Sequence, residues 1–403
     1  MSDKKNILFI SHREVSDCSD GGMISTFYAS KYFAQKSNAF FAFLCEKIDE
    51  TLLQKYRNAN LDPVPYEADT KDNFFKYPLS LFSGLSFKFC KFYHKKFLEN
   101  LSSVIEKNNI EIVWCFAAQT AKYGIELKKR YPDLKIYLRE ENIEYKLVKQ
   151  YAKSQTNILL KIISYFEYLK TKCFEVSSWK NFDKIFFISD TDLKIAQSNF
   201  KNFGNLKLVY SGTDINNFNY AEINPEENSF LFSGNLKTFQ NKQNLTYFID
   251  KIWKYFIKKV PDAKLYITGN TTEYLLSKLN LTENDLNCLN IVNLGFVDNI
   301  YEIIKSKKYF ISPTLYGSGF RIKVLEGMAL GKIVFVTDID YSMSNLFKDM
   351  INIVHFSNFD DFYKKYTELT NNNNLQNSIM INASKLIKEN FTWDKYVESA
   401  DIL

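Results

Sequence analysis

The sequence predicts an α/β protein built on two doubly wound parallel sheets. Short runs that are apolar on both faces alternate with longer amphipathic stretches, the pattern of strands buried between layers of helix. That alternation runs through the first half of the chain, stops, and starts again. The length points the same way: 403 residues exceed one comfortable core and suit two domains of about 200 residues each.

In the first half, strands are expected at residues 6–11 (NILFIS), 39–44 (AFFAFL), 110–115 (IEIVWC), 135–138 (KIYL) and 184–188 (KIFFI). Amphipathic stretches at 23–35, 97–107 and 159–179 read as helices between them. The series restarts at 230–233 (FLFS), followed by 264–268, 291–294, 309–312 and 333–337, with helices expected at 244–259 and 324–330. Two βα series imply two doubly wound domains. The seam falls in 209–218 (VYSGTDINNF), where Gly212 and several turn formers link the series. The asparagine run 371–374 marks a loop or helix start before a terminal helical stretch ending in Phe391-Thr392-Trp393. The expected division is 1–208, 209–385, and a C-terminal helix in 386–403 that packs back on the first domain.

Composition narrows the function. With 46% hydrophobic residues the chain is globular. A net charge of +6 permits an anionic membrane surface or a phosphorylated ligand and demands neither. No basic run or nucleic-acid motif is present, so no nucleic-acid partner is expected. Six cysteines lack CxxC spacing, which argues against zinc or a disulfide framework and fits reduced thiols in a cytoplasm. Three histidines (His12, His94, His355) are too few for a His-rich metal centre. The N-terminal apolar run is too short for a signal peptide or a spanning helix, so any membrane role is expected at the surface.

In open α/β sheets, ligands bind beyond the carboxyl ends of the strands. The stretch 313–332, PTLYGSGFRIKVLEGMALGK, follows a strand and leads into a helix. Gly317 and Gly319 let backbone approach a ligand closely. The helix start offers unpaired N–H groups and a positive dipole end, suited to a diphosphate. Arg321 and Lys323 add positive charge in the same turn. Glu326, one turn on, can accept hydrogen bonds from two vicinal hydroxyls such as those of a ribose. Taken alone, the glycine pattern is equally compatible with a routine surface turn ahead of an ordinary helix.

The wider sequence resembles the family 4 (group 1) glycosyltransferases of the GT-B fold, in particular the subgroup with a GxGxRxKxLExMAxGK pattern. GSGFRIKVLEGMALGK carries the resemblance, and other stretches fall in the family's order: Gly21-Gly22, REENIEY at 139–145, FFISDTD at 186–192, the linker at 209–218, FSGNLKTFQN at 232–241, GFV at 295–297 and Phe391–Trp393. The resemblance implies two Rossmann-like domains facing across a cleft, with the acceptor held by the first domain and a nucleotide-sugar donor by the second. It implies a retaining transfer without bound metal or cofactor, the nucleotide sugar being the substrate. Glu326 would hold the ribose, and Arg321 and Lys323 would neutralise the diphosphate. Gly317, Ser318 and Gly319 would line the pyrophosphate and sugar. Gly21 and Gly22 would form a loop facing the phosphates, and Gly234 and Asn241 belong to the first loop of the second domain. Many relatives carry a glutamate where this chain has Ser318, and the subgroup usually has histidine at Glu141. A carboxylate at 141 can accept from sugar hydroxyls but supplies no cation unless a partner does.

Residues 74–97, FFKYPLSLFSGLSFKFCKFYHKKF, interleave aromatics with Lys88, Lys91, Lys95 and Lys96. That suits either an anionic bilayer surface near a glycan or lipid-linked acceptor or a packed helix pair with solvated lysines. Two further activities stay open: a nucleotide-sugar hydrolase or epimerase of the same fold, and a non-catalytic nucleotide-sugar-binding partner subunit.

Overall fold

The computed structural model describes residues 4–69, 85–199, 204–215, 224–317 and 319–402. The chain divides into two compact units. One comprises Met1–Gly212, Ser318–Phe320 and Trp393–Leu403, and the other Thr213–Gly317 and Arg321–Thr392.

The first unit holds seven parallel strands: β1 Asn6–Ser11, β2 Asn38–Cys45, β3 Leu61–Glu67, β4 Ile112–Phe116, β5 Lys135–Glu140, β6 Lys184–Phe187 and β7 Leu206–Leu208. Their spatial order is β3-β2-β1-β4-β5-β6-β7. The order reverses beside β1, the doubly wound arrangement. Central strands are buried on both faces, as in IVWCF of β4, where Trp114 stacks on Phe186 with ring centroids 4.6 Å apart. The sequence pattern missed β3, because Pro63 and Pro65 cannot donate to a ladder. The strand survives because it is the sheet's edge. The helix Trp393–Ala400 packs on the helix Gly21–Ala34, with the Trp393 ring stacked on Tyr28 at 6.2 Å.

The second unit holds six parallel strands: β8 Glu226–Ser233, β9 Lys264–Thr268, β10 Ile291–Gly295, β11 Lys307–Ser312, β12 Ile333–Val336 and β13 Val354–His355, in the order β10-β9-β8-β11-β12-β13. Its core gathers Phe230, Trp253, Phe256, Phe335 and Phe362. The order reverses at β8, between β9 and β11, so this unit's crevice lies at the carboxyl ends of β8 and β11. The asparagine run resolves into a cap: Asn372 accepts from the Leu375 N–H at the start of the helix Asn373–Asn390. The molecule is thus an α/β protein of two Rossmann-like domains. Among the described residues, no helix is long and apolar enough to cross a membrane.

Candidate functional site

In the second unit, β11 ends at Ser312 and the helix Ile322–Ala329 begins after a loop that contains Gly317 of this unit and Gly319, which is assigned to the first. Both glycines have positive φ, +149° and +73°. A Cβ on Gly317 would lie 1.8 Å from Arg321 Nη2, so the glycine is what lets the guanidinium fold back over the loop. Arg321 sits at the helix N-cap, and its own side chain makes no capping hydrogen bond to the first turn. Ser318 lies outside the described residues.

Two groups from elsewhere brace this turn. Asp340, wholly buried, accepts from Ser312 Oγ at 2.5 Å and Thr314 Oγ1 at 2.7 Å, and its Oδ1 stands 3.7 Å from Arg321 Nε. Burial raises its carboxyl above the ordinary range, against the pull of Arg321. Asn244 accepts the N–H groups of Leu315 (2.9 Å) and Tyr316 (3.1 Å), tying the loop to the helix Phe239–Phe248.

Lys323 Nζ donates to the Ser233 carbonyl at 2.9 Å and lies 4.7 Å from the centre of the Phe232 ring. Burial, with the positive charge of Arg321 adding to it, lowers its ammonium to about 8. Glu326 is 8% exposed and accepts from the Tyr301 hydroxyl at 3.3 Å. Burial raises its carboxyl to about 7, against Tyr301 and Lys323. Gly234, just after β8, accepts at its carbonyl from Asn270 Nδ2 at 2.9 Å, while Asn241 Nδ2 donates to the Asn235 carbonyl at 2.9 Å. A Cβ on Gly234 would come within 3.0 Å of Asn241. Arg321, Lys323, Glu326, Gly317, Gly234 and Asn241 thus all belong to one unit, around the carboxyl ends of β8 and β11. Asn244, Asp340 and Tyr301 were missed by sequence reasoning. For Asn244 and Asp340 the available hint was a polar residue at an otherwise buried position.

In the first unit, Gly21 and Gly22 are the first turn of a helix rather than a loop. Asp20 caps that helix, accepting from the Met23 N–H at 2.9 Å, and Arg13 grips Asp20 at 2.7 and 2.9 Å. Burial opposes ionisation of Asp20, but Arg13 and the helix N–H groups hold its carboxyl below the usual range. This helix start therefore already carries an anion of its own. Gly22 is closely surrounded, since a Cβ would lie 3.0 Å from Arg13 Nη2 and 3.1 Å from Glu141 Oε2, the movable ends of two side chains; at Gly21 nothing lies within 4 Å.

Glu141 follows β5. Its Oε1 accepts from Thr26 Oγ1 at 2.6 Å and from Arg139 Nη1 at 3.2 Å. The missing cation at this place is supplied two residues earlier. Arg139 is wholly buried, donates to Ser211 Oγ at 2.9 Å and to Ser25, and lies 5.2 Å from the Tyr396 ring. Burial nevertheless raises the Glu141 carboxyl, Arg139 opposing. His12, beyond β1, makes an edge contact with Phe92 at 4.8 Å, and burial lowers its imidazole well below the usual value. Of residues 74–97, positions 74–84 lie outside the described residues, and Phe89 and Phe97 are core residues. A solvent-open depression of about 600 Å³ lined by Lys4, Asn6, Asn38, Asp62 and Asn108 opens at the amino ends of the strands, the end that does not bind ligands in this architecture. Among the described residues, no cluster of three or more His, Cys, Asp or Glu is placed to hold a metal ion.

Comparison with known proteins supplies the class. Residues 227–372 match the family described as "Glycosyl transferases group 1". A curated relative, an uncharacterized 44.6 kDa protein in the cps region of Klebsiella pneumoniae, is 26% identical over 204 residues. That match takes in 50% of this chain and 51% of the relative, so the chain spans about half the length of that relative. A glycosyltransferase from Rickettsia africae superposes with a TM-score of 0.67 at 15% identity, covering 98% of this chain and 97% of that one. HepE of Anabaena, solved with UDP, does so with a TM-score of 0.67 at 11% identity, covering 98% of each chain. The structural neighbours establish the two-domain, Rossmann-like GT-B fold. The family match over the second unit supports a group 1 glycosyltransferase.

Proposed function

We propose that the protein is a retaining, metal-independent glycosyltransferase that moves a sugar from a nucleotide-sugar donor to a glycan or lipid-linked acceptor. We place it in bacterial surface polysaccharide or glycoconjugate synthesis, in the cytoplasm at the inner face of the membrane. The observation that carries the reading is the pairing of Arg321 and Lys323 at the start of the helix Ile322–Ala329, with Glu326 one turn on, all at the carboxyl ends of β8 and β11. The cps-region relative favours the surface-glycan setting.

The chemistry follows from charge. As the bond between the anomeric carbon and the phosphate oxygen breaks, negative charge gathers on the departing diphosphate. Cations and N–H groups fixed there beforehand stabilise that charge more than they stabilise the bound donor. The acceptor oxygen bonds to the anomeric carbon on the face the phosphate leaves. Its proton passes to a phosphate oxygen, so the step needs no separate protein base. Glu326, as the carboxylate, accepts from the ribose hydroxyls and fixes the nucleoside. Glu141, with Arg139 beside it, accepts from hydroxyls of the sugar.

A panel of UDP- and GDP-sugars with glycan and lipid-linked acceptors tests this, reading nucleoside diphosphate release, the product's anomeric configuration and the effect of a chelator. Acceptor-dependent release with retained configuration, unaffected by chelator, is expected. Turnover indifferent to every acceptor would make it a hydrolase or epimerase, and donor binding without turnover a non-catalytic binder.

A further inference from the structure

The helix Ile158–Ser178 is inside out. Its buried face carries Ser164, Thr171, Glu175 and Ser178 around a single aromatic, Tyr168, all 9% exposed or less. Its open face carries Ile158, Ile162, Tyr165, Phe166 and Leu169, between 44% and 75% exposed. These recur at the three- and four-residue spacing of one helical stripe. A soluble helix normally turns that stripe inward, and a contiguous apolar patch left outside marks a docking surface. The inward polar residues have structural work. Glu175 accepts the N–H groups of Glu144 and Tyr145 at 2.8 Å each, anchoring the start of the neighbouring helix Glu144–Ser154.

Charge identifies what the stripe docks on. Across 144–178 the charged residues are six lysines and three glutamates. Glu144 and Glu175 are buried, and Glu167 turns inward to accept the Phe87 N–H at 2.8 Å. Lys149, Lys153 and Lys161 are exposed. Among the charged residues of the helix pair itself, the exposed ones are therefore lysines, set beside the apolar stripe. A second copy meeting it about a two-fold axis would bring like charges together. We propose that this helix is a membrane-docking element that lies on an anionic lipid surface, its apolar stripe at the acyl boundary and its lysines among the headgroups. It deepens the lipid-linked-acceptor reading above, on which its purpose rests, and its inner face meets the described part of the 74–97 stretch, where the Phe89 ring lies 4.7 Å from that of Phe174.

Flotation of the full chain with phosphatidylcholine vesicles, with and without phosphatidylglycerol, at low and high salt, tests the proposal. Binding only to anionic vesicles, weakened by salt, is expected. Ile162→Ser/Phe166→Ser/Leu169→Ser should lower partitioning about a hundredfold, and Lys149→Glu/Lys153→Glu/Lys161→Glu at least about tenfold. Both variants should melt as the wild type does and keep its nucleotide-induced thermal shift, which separates docking from donor binding. Wild type that fails to float at low salt, or an apolar-stripe variant that floats equally well, would overturn the proposal. So would a concentration-dependent dimer in solution that the stripe variant abolishes. If flotation holds while no nucleotide shifts the melt, the transferase reading fails and the docking element stands.

Discussion

Replacing Glu326 with glutamine should make the unliganded protein more stable while disabling it. The side chain is 8% exposed, and burial raises its carboxyl from the ordinary 4.5 to about 7. The folded state therefore prefers the protonated form, and ionisation above pH 7 costs it up to roughly 3 kcal/mol, at about 1.4 kcal/mol per pKa step. Glutamine keeps the acceptor for the Tyr301 hydroxyl and removes the charge. Allowing for relaxation, we expect a gain of about 1–3 kcal/mol at pH 8, a rise of about 3–9 °C in the melting of a domain this size. The sign is fixed by linkage. The stabilising effect of a raised carboxyl is complete below its unfolded value and lost as pH rises through the folded one, so the variant's advantage should vanish near pH 4.5. Melting curves of both proteins at pH 4.5 and 8, without nucleotide, read this directly. A variant less stable at pH 8, or an advantage independent of pH, would refute the reasoning. The same variant should lose affinity for donor, since an amide holds ribose hydroxyls less strongly than a carboxylate.

Lys323→Ala should lower kcat/KM by a factor of about 10²–10³, the loss typical of one donor to a developing anion, in steady-state assays with the fold intact by circular dichroism. Donor affinity should peak between pH 7 and 8: below about 7 Glu326 takes a proton, and above about 8 Lys323 loses one. Calorimetry at pH 8 in buffers of different ionisation enthalpy should accordingly show proton uptake on nucleotide binding. Arg139→Leu takes the ion-pair partner from the buried Glu141 carboxylate, leaving Thr26 as a neutral donor to it, and should cost about 3–5 kcal/mol, read by denaturant unfolding, with partial recovery in Arg139→Leu/Glu141→Gln.

The parts visible in the sequence were those governed by local rules. Strands apolar on both faces stood out, and so did the glycine turn that leads into the helix carrying Lys323 and Glu326. β3 hid behind Pro63 and Pro65, and β13, two residues long, is too short for a period. The helix Glu144–Ser154 takes its N-terminal anchor from Glu175, on a different helix, so no local cap announces it. Asp340 and Asn244 escaped for a similar reason: each meets the loop 26 or more positions away in the chain. Arg139 lies within REENIEY, but its burial against Ser25 and Ser211, far off in the chain, is decided by tertiary packing. The helix Ile158–Ser178 was legible as amphipathic, whereas which stripe faces inward is decided by tertiary packing alone.

The most direct test is the melting temperature of the full chain titrated with a nucleoside, its monophosphate and its diphosphate, in wild type and in Arg321→Ala/Lys323→Ala. If that turn holds a diphosphate, the wild type should be stabilised progressively with each phosphate, by a mass-action increment that grows with ligand, and the double variant should respond to all three alike. Equal diphosphate stabilisation in both proteins, or none in the wild type with any base, would contradict it.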